Sequence, residues 1–94
     1  MVQCLRIFLS IILPKKLLHN IHEKAKELDL EGTVQTMHQD DHADLRIVVC
    51  GSKDSIDDFI DYLHVEIADK AISPAEIEPF IKDRDFRGVF RIIE

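Results

Sequence analysis

Leu28-Asp29-Leu30-Glu31-Gly32-Thr33-Val34-Gln35 decides the reading of this chain, because it closes a helix and opens a strand. Upstream, Leu17, Leu18, Ile21, Ala25 and Leu28 recur at the 3.6-residue spacing of an amphipathic helix. Glu23, Lys24, Lys26 and Glu27 fall on its wet side. Pro14 suits the first helical turn, where a missing N–H costs nothing. Gly32 is placed to end the helix in a left-handed conformation. Downstream, residues 33–38 carry Thr, Val, Thr and Met, a strand-like mix.

Working outward, residues 2–10 read as a buried strand rich in Leu, Ile and Phe, with Arg6 facing solvent or snorkelling at the sheet surface. Gln39-Asp40-Asp41-His42 reads as a hairpin tip. Residues 44–50 supply Leu45, Ile47, Val48 and Val49 for a second buried strand, which Gly51-Ser52 ends. Asp54 or Ser55 is a suitable N-cap for a second helix, and Asp57 and Asp58 complement its dipole. Ile56, Phe59, Ile60, Leu63 and Ile67 form its apolar face. Ser73-Pro74 marks a turn, and Pro79 confines residues 76–82 to an edge strand or an irregular segment. Lys82-Asp83-Arg84-Asp85 is a charged loop, and residues 89–93 form a last strand entered through Gly88. The order β-α-β-β-α-β with a short extra strand implies an α+β, ferredoxin-like sandwich: an antiparallel sheet with both helices on one face.

Ninety-four residues fit one domain, 1–94, that buries roughly 60–65% of its unfolded surface. The net charge of −6 argues against nucleic-acid and anionic-membrane partners, which need clustered Lys and Arg. The apolar run 7–13 is interrupted by Ser10 and stopped by Pro14, short of the ~20 residues of a spanning helix. It lacks the positive flank and cleavage site of a signal peptide. Cys4 and Cys50 are too few for a disulfide scaffold and too far apart in sequence for a metal motif. They read as reduced thiols in a cytoplasmic protein, at the same end of the sheet and close neighbours if the strand order holds.

The Gly32-Thr33-Val34-Gln35-Thr36 segment, the second helix opened by Gly51-Ser52-Lys53-Asp54-Ser55-Ile56 and the closing Phe86-Arg87-Gly88-Val89-Phe90-Arg91-Ile92-Ile93 together resemble the acylphosphatase family over almost the whole chain. The resemblance implies a loop G-x-V-Q-G-V-x-F-R that binds phosphate through its amides and arginine, and an asparagine in G-W-V-x-N that orients the attacking water; it implies no metal or other cofactor. Counted back from Gly32 without a gap, the loop pattern falls on residues 10–18, placing Pro14 at the loop glycine and Leu18 at the arginine. Thr36 stands at the asparagine. Leu18 cannot neutralise a phosphate, Pro14 has no amide to donate, and no arginine lies between Arg6 and Arg46 to replace the one missing.

Lys15 and Lys16, in the first turn of the first helix, are a candidate anion site alongside the helix amides, or two solubilising surface charges. His19 and His22 share a helix face and His38 and His42 flank the hairpin tip, but the spacing fits no standard zinc pattern. His64 suits a helix C-terminus. Capping accounts for Asp54, Asp57, Asp58 and Asp61 without acid–base chemistry. An RNA-binding sheet would need aromatic residues on its central strands, where Phe8 stands alone. The favoured expectation is a non-catalytic acylphosphatase-like domain binding a small anion or a protein. Its alternatives are an acyl-phosphate hydrolase with a diverged site and a small-molecule-binding regulatory domain of the ferredoxin-like class.

Overall fold

The computed structural model describes residues 2–12, 15–38, 42–67, 76–79 and 90–93. Its elements are β1 (Val2–Ile11), α1 (Lys15–Glu27), β2 (Glu31–His38), β3 (Ala43–Ser52), α2 (Lys53–Ile67), β4 (Glu76–Pro79) and β5 (Phe90–Ile93). The strands form one sheet in the order β4-β1-β3-β2-β5. This is the expected ferredoxin-like βαββαβ arrangement, with one correction. β1–β3, β1–β4 and β2–β3 are antiparallel, but β2–β5 is parallel, so the sheet is mixed. The reason is directional. β4 runs against β1 at one edge, and β5, running opposite to β4, reaches the other edge beside β2 with the same sense.

Alternation along the strands sorts the side chains into two layers. Ile7, Leu9 and Ile11 of β1, Val34 of β2 and Leu45, Ile47 and Val49 of β3 are buried against the helices. Leu17, Leu18, Ile21 and Ala25 of α1 and Ile56, Phe59, Leu63 and Ile67 of α2 meet them there. Burial of each large apolar side chain contributes about 1.5–3 kcal/mol, which makes this layer the main source of stability. The other face carries Arg6, Phe8, Ser10, Thr33, Gln35, Met37, Asp44, Arg46 and Val48, half-buried or exposed.

The helix-to-strand junction differs from expectation in one residue. Asp29, with φ 57°, takes the left-handed position that ends α1. The Leu30 amide donates to the Ala25 carbonyl at 2.9 Å and the Asp29 amide to the Lys26 carbonyl at 3.1 Å, a Schellman closure. Asp tolerates this conformation better than most side chains do. Gly32, with φ 142°, serves a different purpose. A Cβ there would overlap the Val48 carbonyl oxygen, so only glycine lets β2 pack this closely on β3. The N-cap of α2 is Ser52, not Asp54 or Ser55: the Ser55 amide donates to Ser52 Oγ at 3.2 Å. The strand runs directly into the helix at this point, and the cap is therefore the last residue of β3.

Cys4 and Cys50 are register partners on β1 and β3. Their Cα atoms are 4.1 Å apart and a disulfide joins them, which corrects the expectation of free thiols. Sequence spacing concealed a cross-strand contact that the register creates. Pro14, the tip residues 39–41, the 73–74 turn and the 82–88 loop lie outside the described residues.

Candidate functional site

β1 ends at Ile11 and α1 begins at Lys15, so the connection is three residues, 12–14. Ile12 is exposed. Lys15 is the first helical residue, and Lys16 is exposed in the same turn. That turn holds no acidic side chain, whereas Lys24 and Lys26 lie in the last one. The positive end of the α1 dipole therefore faces the connection uncompensated by any carboxylate of its own turn. Leu18 is 5% exposed and packs in the core cluster with Ile21, Val34 and their neighbours. Its side chain is a structural one, turned into the layer between helix and sheet.

Thr36 lies on β2 opposite Leu45, in that same layer. It is 6% exposed, and its Oγ1 has no hydrogen-bond partner among the described residues. A buried, unpaired hydroxyl costs roughly 1–3 kcal/mol, so among the described residues it is the buried side-chain polar group that a ligand or a water would satisfy. α1 packs on β2. The fold thus gathers Leu18 and Thr36 into one layer and leaves Lys16 at the surface.

The remaining candidates disperse. His19 and His64 are exposed, and the His22 ring stands 6.2 Å from Phe90. His42 Nε2 is 3.8 Å from Asp44 Oδ1. Among the described residues no three His, Cys, Asp or Glu side chains gather where a metal could be held. Asp54, Asp57, Asp58 and Asp61 are all exposed on α2, and Lys53 Nζ reaches Asp57 Oδ2 at 3.4 Å. These carboxylates sit in water along the first nine residues of α2, with Asp54 alone in its first turn. Among the described residues no helix is long and apolar enough to cross a membrane.

The family model for acylphosphatase matches residues 18–92. The chain belongs to the acylphosphatase family. Solved structures agree on the fold. An acylphosphatase from Coxiella burnetii superposes with a TM-score of 0.76 at 23% identity, over 97% of this chain and 92% of that one. The acylphosphatase from Bacillus subtilis gives 0.73 at 13% identity over 100% of both chains. Full-length HypF in its phosphate- and nucleotide-bound form gives 0.71 at 19% identity, covering 100% of this chain and 12% of that one. A comparison with curated protein sequences gives no match. The acylphosphatase segment begins at Leu18 itself, so the β1–α1 connection lies before the matched residues.

The open face of this acylphosphatase-family sheet holds a polar cluster that sequence reading missed. Ser10 Oγ donates to Asp44 Oδ1 at 2.6 Å. The Arg6 and Arg46 guanidinium carbons lie 5.6 and 5.3 Å from the centre of the Phe8 ring. Arg6 also bonds Glu78 at 2.7 Å. Period-two alternation does place Arg6, Phe8 and Ser10 on one face. Their partners arrive from strands 34 or more residues away, and only the register reveals them.

Proposed function

We propose that this chain is a non-catalytic member of the acylphosphatase family that works as a binding domain for a small anion or a protein. The observation that carries the proposal is the buried, apolar Leu18 side chain, which a gap-free count from Gly32 assigns to the family's phosphate-binding arginine. An acyl phosphate in the β1–α1 connection would find the N-terminal amides of α1 and the exposed Lys16, and the sequence places no arginine between Arg6 and Arg46 to neutralise developing charge. Removing such preorganised electrostatics costs about 3–4 kcal/mol per donor, a factor of hundreds in rate. The same amides and lysine still favour an anion, held weakly and screened within ~8 Å at physiological ionic strength.

The test is hydrolysis of benzoyl phosphate by purified protein. The expected result is a rate equal to that of buffer. Turnover that rises in proportion to protein and survives repurification overturns the proposal.

A second reading, a hydrolase with a diverged site, draws on the unpartnered hydroxyl of Thr36 at the asparagine position. It requires turnover that Thr36→Val abolishes while the variant stays folded.

A further inference from the structure

The open face of the sheet carries a groove of about 380 Å³, in the size range of small-molecule sites, roughly 300–1,000 Å³. Its lining includes Phe8, Ser10, Met37, Asp44, Arg46 and Glu76. The register explains how these residues meet. Glu76, Phe8 and Arg46 form one row across β4, β1 and β3, and Ser10, Asp44 and Met37 form the next across β1, β3 and β2. None of them points toward the layer that holds Leu18 and Thr36.

The charges in the groove are arranged rather than neutralised. The Arg46 guanidinium leans over the Phe8 ring and has no carboxylate partner among the described residues. Stacking uses the face of that group and leaves its N–H edge free to donate in plane. Asp44 Oδ1 accepts from the Ser10 hydroxyl and lies 3.8 Å from His42 Nε2, and these two contacts orient the carboxylate. Glu76 has no ion-pair partner among the described residues. Met37 is 47% exposed, an apolar surface beside the ring.

Complementarity narrows the guest. A simple anion would meet Asp44 and Glu76, and a simple cation would meet Arg46. A wholly apolar guest would strip water from charged groups and return no hydrogen bonds. A zwitterion with an apolar body satisfies every wall. Asp44 and Arg46 are two residues apart on β3, about 7 Å along the strand, with side chains on the same face. We infer that this groove binds a free α-amino acid with an apolar side chain, its carboxylate on Arg46, its ammonium on Asp44 with Glu76 beyond, and its side chain against the exposed Met37 and beside the Phe8 ring. This site is independent of the catalytic status of the β1–α1 connection.

The test is a titration of the protein with L-phenylalanine and L-leucine, followed through backbone amide shifts. Saturable shifts are expected at Phe8, Ser10, Asp44 and Arg46, with Leu17 and Leu18 unmoved. Arg46→Gln and Asp44→Asn should each weaken binding by about tenfold or more, the scale of a lost charge-assisted hydrogen bond. N-acetyl-L-phenylalanine and L-phenylalaninamide, each lacking one charge, should bind correspondingly less well. The shift maps of both variants verify that they remain folded. Absence of saturable shifts up to about 10 mM, where binding would be worth under ~3 kcal/mol, overturns the inference. So does binding that neither variant weakens, or binding of the acetylated and amidated analogues as tight as that of L-phenylalanine. A failure here leaves the benzoyl phosphate result untouched, and the reverse also holds.

Discussion

Single residues in this protein separate into those that fill space and those that permit it. Leu18 fills it. Leu18→Ala should lower the unfolding free energy by about 2–5 kcal/mol, because a buried leucine leaves a cavity. Urea denaturation checks this, and a loss below about 0.5 kcal/mol, the range of surface substitutions, would mean that Leu18 is not a core residue. Gly32 permits. Its positive φ, and the Val48 carbonyl oxygen that an added Cβ would overlap, leave no room for a methyl group, so Gly32→Ala should cost about 3 kcal/mol or more. Tyr62 offers a titration. Burial first, then Glu66 and Glu27, raise its pKa above the ordinary tyrosine value of 10.0. The folded state therefore holds the phenolic proton more tightly than the unfolded one. Stability should be unaffected by this group below pH 10.0 and should fall as pH rises from there through the folded pKa. Absorbance of the phenolate, titrated in native and denatured protein, should show the native midpoint at the higher pH.

At the scale of elements, the ends of the helices decide how the chain turns. The Schellman closure at Asp29 sets Leu30 into the core at 2% exposure, over Gly51, whose missing side chain makes the room. At the start of α2 the Ser52 hydroxyl satisfies one amide that the helix cannot. Ser52→Ala should destabilise by about 1 kcal/mol, and Ser52→Asp should restore most of it by capping and by complementing the dipole. Thermal melts of the two variants check the order. Equal melting points would show that Ser52 does not cap α2.

At the scale of the whole molecule, the Cys4–Cys50 bond ties together strands 46 residues apart in sequence. Chain-entropy reasoning for a loop of this length gives about 4 kcal/mol of stabilisation. Reduction of the oxidised protein should lower its stability by that order without altering the fold, since β1 and β3 stay paired through their ten-residue register. Denaturation with and without reductant measures the first part, and amide shifts the second. In a reducing compartment the pair would be two adjacent thiols, so the expected cytoplasmic location and the bond make competing demands that alkylation of protein in intact cells resolves.

Local pattern was enough to mark several elements along the chain. The 3.6-residue stripe from Leu17 to Leu28 marked α1, the apolar face from Ile56 to Ile67 marked α2, and Pro79 marked an edge strand. Together with the short motifs around Gly32 these made the βαββαβ order and the acylphosphatase resemblance legible. A count along the chain also gave the expectation that Leu18 and Thr36 stand at the family's site positions. The rest depends on which strand lies beside which, and in what register. The disulfide, the Ser10–Asp44 hydrogen bond, the guanidinium groups over Phe8 and the parallel β2–β5 pairing all join residues distant in sequence. Alternation tells which face a side chain takes, but not which neighbour it finds there, since sheet pairing is a non-local choice made by the packing of the whole core.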